Sequence, residues 1–543
     1  MSEPVPTPEQ TAAIDYPASL VAIAKPGSGK TFVLARKIQN VLSTLPNYKG
    51  VIAISYTNKA SDELRKRTTA GNVNVRASFF GTIDKFCLGE IVIPFLTHLW
   101  GKPASEVAIL RWRDLPEEEQ AEFEDLQENQ VSLEDLVKHS ASLKTRFLNG
   151  QLFLEASGAL ALFTLKNSKA CRRYISARYS HVIIDEYQDS GLEQHGLFLE
   201  LHSLGLTAVA VGDADQSIFG FSNKDSKYLL ELAKHAGFKT FPITFNHRCH
   251  PSIINYSMRL IDEHAAIIPA TEVRVFYKTC GGTAAAIAKW IESVLPRVMA
   301  AYSVTKAKEI GILVRGGASG ALVDTALTFQ HRYFLTHPLE EHFSLWSRVF
   351  AQLLAYRYDG QHSAQTVIDR FSTGLKEKEI RTARGLIKQL RACSDADLFG
   401  QMETIATLLL PNARKDEPLA LLKGSNVNDL ARAFSPADED EIQVMSLHKA
   451  KGLEFDIVFH LDLYEWTFPA KAPGENNDFD NPVYSSLQQD LNLHYVGVTR
   501  ARKACFLCTS TRRINRDGLE KNGKPSEFLA MKGLPNLRIA SPF

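Results

Sequence analysis

The residues AKPGSGKT, positions 24–31, constrain this chain more than any other segment, because of what stands on either side of them. Upstream, SLVAIA is an apolar run of strand length. Downstream, TFVLARKIQNVL places Val33, Leu34, Ile38 and Val41 at helical spacing. A strand that breaks into small residues and restarts as a helix leaves backbone N–H groups at the helix N-terminus, where they can wrap phosphate oxygens. In that setting Ala24, Lys25, Pro26, Gly27, Ser28 and Gly29 form a cradle. Lys30 would neutralise the outer phosphates, and Thr31 would offer its hydroxyl to Mg²⁺, a hard cation that prefers oxygen.

The same strand-into-helix pattern recurs at GVIAISYTN followed by KASDELRKR, at HVIIDEYQD and at LTAVAVGDADQ. Such alternation predicts a parallel sheet covered by helices, with ligands at the carboxyl ends of its strands. A second alternating region begins at EIGILVRGG and resumes at DEIQVMSLHKAKGLEFDIVFHLDL and NLHYVGVTRARKACFLCTS. The predicted organisation is α/β with two units, each interrupted by a mainly helical insertion. The first unit takes residues 1–92 and 173–250, with its insertion at 93–172. The second takes 251–335 and 437–543, with its insertion at 336–436. The stretch KAPGENNDFDNP reads as an exposed loop from its Pro, Gly and Asn content.

Length alone, 543 residues, already calls for about three to four domains. The 62 basic and 61 acidic residues nearly cancel to +1, so any site for nucleic acid has to be local. Seven scattered cysteines predict a reducing compartment and a cytoplasmic protein. The polar start MSEPVPTPEQ and the lack of a long apolar run predict no membrane association. Cys505 and Cys508 have metal or redox spacing but sit in an apolar strand without a second ligand pair, which predicts a buried reduced pair.

The third strand ends in Asp185-Glu186. Downstream of a phosphate loop, that placement suits Asp185 to Mg²⁺ and Glu186 to orienting and deprotonating an attacking water. Gln216, just past the strand ending in Gly212-Asp213, can read a terminal phosphate through its amide.

Taken in order, these segments resemble the superfamily 1 helicases of the UvrD, Rep and PcrA type. TPEQTAAI, AKPGSGKT, SYTNKASDEL, IDEYQDS, VGDADQSIFGF, FNHRCHPSI, SLHKAKGLEF and YVGVTRA carry the resemblance through nearly the whole chain. It implies two RecA-like P-loop domains with ATP between them. It also implies Gln10 as adenine reader, Glu454 towards the ribose, and Arg248 and Arg500 as arginine fingers. Single-stranded DNA or DNA ends would meet Tyr56, Thr57, Asn58, Phe219, Phe221 and His448, the aromatics stacking on bases. Three departures stand out. Lys25 replaces a glycine of the loop, Asp84 in GTIDKF replaces a histidine, and Ser222-Asn223 replace Arg-Gly.

GTIDKFCLGEIVIPF, the compact insertions and the short run from FDIVFHLDLYEW to NLHYVGVTRARK resemble, more narrowly, the GajB-type helicase-like subunits of Gabija anti-phage systems. That resemblance implies a GajA-type nuclease of the OLD family as partner. Two other readings stay open: a stand-alone 3′–5′ DNA repair helicase, and a nucleotide-binding regulatory subunit without processive unwinding. Residues 114–136 hold ten acidic side chains and no Lys or Arg, so this part of the first insertion would repel duplex phosphates and suits a protein-docking surface. Basic groups that could meet DNA backbone are Lys59, Arg65, Lys66, Arg67, Arg512, Arg513 and Arg516.

Overall fold

The computed structural model describes residues 5–543 other than 57, 106, 113–114, 116, 125–130, 217–225, 336, 342–343, 361, 372–374, 412–414, 476–477 and 516–517. Apolar runs of five or six residues form its central strands, and the intervening helices oblige those strands to pair in parallel. The first α/β unit opens with β1 (Leu20–Ala24), β2 (Gly50–Ile54) and β3 (Phe79–Gly81). Among the described residues the first insertion is mainly helical and carries two short strands, β4 (Ala108–Leu110) and β5 (Gln151–Phe153), which pair with each other in parallel. With β6 (Tyr179–Ile184), β7 (Thr207–Gly212) and β8 (Lys239–Ile243), the unit completes a six-stranded parallel sheet in the order β3-β2-β6-β7-β1-β8.

Both faces of this sheet are covered, and neighbouring residues of one strand serve different cores. Ala22, Val51, Ile183 and Val209 pack under Val33, Leu34 and Ile38 of the helix Lys30–Thr44. Val21, Ile52, Val182 and Ala208 face the opposite way and share a cluster with Phe123, Phe147, Phe153 and Leu160 of the first insertion. This insertion therefore has no core of its own and closes one face of the sheet. The second insertion differs. Its helices from Pro338–Glu341 to Val427–Phe434 enclose Trp346, Phe350, Leu353, Ile387, Met402 and Ile405 in a separate cluster.

The second unit contributes β9 (Val275–Cys280), β10 (Ile310–Val314), β11 (His331–Tyr333), β12 (Ile442–Ser446) and β13 (Phe455–His460). There follow β14 (Lys471–Gly474), β15 (Asp478–Tyr484), β16 (Ala501–Ser510), β17 (Arg512–Ile514), β18 (Glu520–Asn522) and β19 (Ile539–Ala540). Seven of these form a second parallel sheet, β11-β12-β10-β13-β16-β9-β19.

Several strands, among them β3, β8 and β11, are not marked in the sequence reading, and two further differences bear on how strands are recognised. β9 adds a strand upstream of EIGILV; its half-polar sequence VFYKTC lies next to the short edge strand β19, where Tyr277 is exposed. The expected loop at KAPGENNDFDNP is an antiparallel hairpin, β14 with β15. It pairs only with itself, so no core imposed the apolar alternation by which strands are recognised. Cys505 and Cys508 are buried in β16 on opposite faces, one in each core of the second sheet, as a spacing of three in a strand requires. No helix among the described residues is long and apolar enough to cross a membrane.

His460, the last residue of β13, and His494 of the helix Leu487–Thr499 are both fully buried. The Leu461 carbonyl, 3.0 Å from His460 Nδ1, can only accept, so Nδ1 carries the hydrogen. His460 Nε2 then accepts from His494 Nδ1 at 3.0 Å, which leaves His494 Nε2 buried without a partner. Burial favours the neutral rings, lowering His460 to about 4 and His494 well below its ordinary value. The unfolded chain therefore binds more protons than the native one below the ordinary histidine value of about 6.5. Melting temperature should fall by several degrees as pH drops from about 6.5 to about 4.5, and less steeply in His494→Phe. Scanning calorimetry across that range gives the comparison, and parallel slopes for the two proteins would contradict it.

Candidate nucleotide site at the domain interface

The phosphate-loop candidate leaves β1 between β7 and β8, so its neighbours are the carboxyl ends of those strands. Gly27 and Gly29 have φ of 69° and 80°. A Cβ on Gly27 would stand 2.5 Å from Asn246 Oδ1, so both backbone conformation and space demand glycine. Gly29 caps the helix Lys30–Thr44, of which Thr31 is the second residue. Ser28 is fully buried and its Oγ has no hydrogen-bond partner, a polar atom turned into the loop with capacity to spare. The residues present fit a phosphate chain.

Gln10 lies in the helix Pro8–Asp15, where it forms a capping box with Thr7. Its Nε2 donates to the Ser28 carbonyl at 2.8 Å, and its Oε1 accepts from Thr7 N–H at 2.9 Å. The residue expected to read adenine thus buttresses the phosphate loop in this structure. Lys25, the departure from the family glycine, has its charge taken up by Asp215 at 2.6 Å. Burial works against that ammonium, but Asp215 outweighs it and raises the group above its ordinary value.

Asp185 and Glu186 follow β6 directly. Asp185 is 5% exposed, and Glu186 has φ of 54°, a left-handed conformation that a non-glycine residue holds only under constraint. The constraint is visible: Gln188 Nε2 donates to Glu186 Oε2 at 2.5 Å, while Gln188 Oε1 accepts from Asp213 N–H at 3.0 Å. Lys30 Nζ lies 3.7 Å from Glu186 Oε1. Burial, then the neighbouring Glu186, raises Asp185; burial also opposes ionisation of Glu186, but Lys30 and Lys451 overcome it and hold it ionised. An oxygen-only donor set whose two carboxylates repel each other fits a hard divalent cation.

The second unit supplies the other wall. Glu454 immediately precedes β13 and Arg500 immediately precedes β16, and these strands are paired, with Phe455 N–H donating to the Arg500 carbonyl at 2.9 Å. Arg500 is 2% exposed, and burial, then Arg248, lowers its pKa to about 10. Its Nη2 donates to Gln216 Oε1 at 3.2 Å, across the interface. Gln216 in turn donates to Asp213 Oδ2 at 2.8 Å. Arg248 Nη2 pairs with Glu454 Oε1 at 2.7 Å, so the residue expected at the ribose and one expected finger hold each other here.

Eight of the expected residues, Lys25, Lys30, Asp185, Glu186, Gln216, Arg248, Glu454 and Arg500, therefore meet around one cleft. The DNA candidates are less completely described. Thr57, Phe219 and Phe221, like Ser222 and Asn223, lie outside the described residues, and for Asn58 only the start of its helix is described. Burial, then Asp189 and Asp84, raises Tyr56; burial, then Arg315 and Lys451, lowers His448 to about 4. Asp84, the second departure, accepts from Ser157 Oγ at 3.1 Å, and so ties the short helix Ile83–Phe86 to the first insertion. Within the acidic stretch, Glu119 pairs with Arg146 at 2.7 Å. Sequence reading missed Gln188, Asp189, Asp215 and Lys451, although all four lie in or beside quoted motifs; tertiary contact joins Gln188 to Asp213, Asp189 to Lys451 and Asp215 to Lys25.

Two family models match the chain, an AAA domain over residues 10–222 and the UvrD-like helicase C-terminal domain over residues 357–512. Over these residues the chain, with its two parallel-sheet units and the cleft between them, is similar to an AAA domain followed by a UvrD-like helicase C-terminal domain. Among individual proteins it is similar to the Gabija protein GajB of Bacillus cereus (strain VD045), 25% identical over 92% of this chain and 94% of that one. A probable DNA helicase II homolog of Rickettsia conorii is 22% identical over 92% of this chain and 91% of its own. The ATP-dependent DNA helicase UvrD2 of Mycobacterium tuberculosis is 22% identical over 96% of this chain and 80% of its own.

Gly27→Ala should weaken binding of a fluorescent ATP analogue at least about tenfold, because the added methyl meets both Asn246 and an unfavourable φ. Equilibrium titration checks this, with a thermal melt to establish that the variant is folded.

Proposed function

We propose that the chain is a DNA-responsive ATPase motor that hydrolyses ATP in the cleft between its two RecA-like units. The observation that carries the reading is the convergence of Arg248 and Arg500 with Lys30, Glu186 and Gln216. The backbone of residues 24–29 and the Lys30 ammonium bind and orient the phosphate chain. Glu186, kept ionised by its cations, accepts the proton of the attacking water. Arg248 and Arg500 face the charge that develops on the transferred phosphoryl group, and Gln216 couples Arg500 to the first unit. Mg²⁺, held by Thr31 and Asp185, supplies further neutralisation of the phosphates when bound. Gln10 and Glu454 border the nucleoside side.

Single-stranded DNA or DNA ends would then bind through Tyr56, Thr57, Asn58, Phe219, Phe221 and His448. The similarity to GajB supports a role in anti-phage defence together with a GajA-type OLD-family nuclease. In the proposed division the two insertions are residues 93–172 and 336–436. Lys25, which stands where the family has glycine, is paired with Asp215, which supports a loop still able to hold the phosphate chain.

Phosphate release with and without a single-stranded oligonucleotide tests the core of this reading. Lys30→Ala, Glu186→Gln and Arg500→Ala should each lower kcat by about 10² to 10⁴. Glu186→Gln should still bind nucleotide, and rates equal to wild type in all three would exclude hydrolysis at this site. Co-purification with a neighbouring OLD-family nuclease tests the partnership separately.

A further inference from the structure

Lys25 stands where the family has glycine, and its side chain takes no part in the hydrolysis proposed above. Its backbone belongs to the phosphate loop: the Lys25 N–H donates to the Ile243 carbonyl of β8 at 3.1 Å, and its carbonyl accepts from the Ser28 N–H at 3.2 Å. The side chain leaves the loop. Nζ donates at 2.6 Å to Oδ2 of Asp215, in the short helix Ala214–Gln216 that follows β7. β1 and β7 are paired neighbours, with Ile23 opposite Gly212, so the two segments leave the sheet side by side. From Asp215 the contacts run on to Arg500. The Asp215 N–H donates to Asp213 Oδ1 at 3.1 Å, and Gln216 Nε2 donates to Asp213 Oδ2 at 2.8 Å. With Nε2 turned to Asp213, the Gln216 amide presents Oε1 to Arg500, whose Nη2 donates to it at 3.2 Å. A half-turn of that amide would set its NH₂ group against the guanidinium, donor against donor.

We propose that Lys25 is a positioning residue for hydrolysis: by pairing with Asp215 it holds the turn 213–216 against the phosphate loop, and so keeps the Gln216 amide in the orientation that presents Oε1 to Arg500. The inference rests on the hydrolytic reading above. Asp213 fixes that orientation as an acceptor, and it does so as a carboxylate that is 1% exposed and two residues from a second one. Burial raises Asp213 to about 6; Lys30 opposes the rise, Asp215 adds to it and Lys25 opposes it. The Lys25 ammonium therefore serves the turn twice, as the direct partner of Asp215 and as a counter-charge to Asp213. Glycine at position 25 has no side chain to supply either. The side chains of Lys25 and Asp215 are 30% and 20% exposed, so solvent screens the pair, and its loss should disturb the turn without unfolding the chain.

The test is steady-state and single-turnover ATP hydrolysis by the full chain with a single-stranded oligonucleotide, comparing Lys25→Met, Lys25→Arg, Asp215→Asn and the Lys25→Met/Asp215→Asn double variant. Lys25→Met and Asp215→Asn should each lower kcat about 5- to 30-fold with KM for ATP within about threefold of wild type, because the pair orients a side chain and does not hold the nucleotide. The double variant should lose no more than the worse single one, and Lys25→Arg should recover most of kcat. In a Gln216→Ala background, with no amide left to orient, Lys25→Met should change the single-turnover rate by less than about twofold. A rise confined to KM would make Lys25 a ligand of the nucleotide, and an equal loss in both backgrounds would make the pair a support of the loop alone; either result overturns the proposal. Glu186→Gln is measured beside them. If it retains wild-type kcat, the hydrolytic reading fails; if it is inactive while Lys25→Met and Asp215→Asn retain wild-type kcat, the positioning role fails by itself. Should Lys25→Met not melt cooperatively, Lys25→Gly takes its place with the same expected losses, and undiminished kcat there counts against the proposal.

Discussion

Two adjacent carboxylates at the end of β6 set the problem that the rest of the molecule solves. Asp185 and Glu186 are held side by side, one almost wholly buried and the other in a left-handed backbone conformation. Burial and their mutual repulsion both disfavour two negative charges here, so cations must converge on them. Lys30 comes from the same unit, at the start of the helix that follows the phosphate loop. Lys451 and Arg500 come from the other. The cleft between the two sheets is where these requirements meet.

This arrangement makes closure a matter of charge as much as of shape. Three of the contacts that span the cleft are polar: Arg500 with Gln216, Lys451 with Asp189, Arg248 with Glu454. Large apolar faces are instead satisfied within each unit, in the clusters on either side of its own sheet. Apolar burial is non-directional and would fasten the units together wherever they touched, whereas paired charges act at short range and specify one register.

Much of the fold was legible in the chain because strands buried on both faces read as continuous apolar runs, as GVIAI and HVII do. The second insertion stood out for the same reason in reverse, as a long stretch with helical patterning. β9 and the hairpin β14–β15 were not legible. An edge-side strand and a self-paired hairpin are not obliged to bury both faces, so their side chains carry no periodic signal. The site was legible where chemistry forces local spacing, as in residues 24–31 and at Asp185-Glu186. It was illegible where one residue depends on a distant partner: Lys25 looked anomalous until Asp215, 190 positions away, was seen beside it.

The sequence by itself determined the two α/β units, the phosphate loop and the identity of the principal charged groups, since glycines with positive φ, strand ends and helix starts are local properties. Only the tertiary structure decided that Gln10 braces the loop through the Ser28 carbonyl, that Arg248 and Glu454 hold each other, and that Lys451 reaches across to Asp189. Those contacts join residues 18, 206 and 262 positions apart. The reason is physical: local sequence fixes backbone conformation, but which charges come within a few ångströms depends on how two sheets, each folded around its own cores, are finally set against one another.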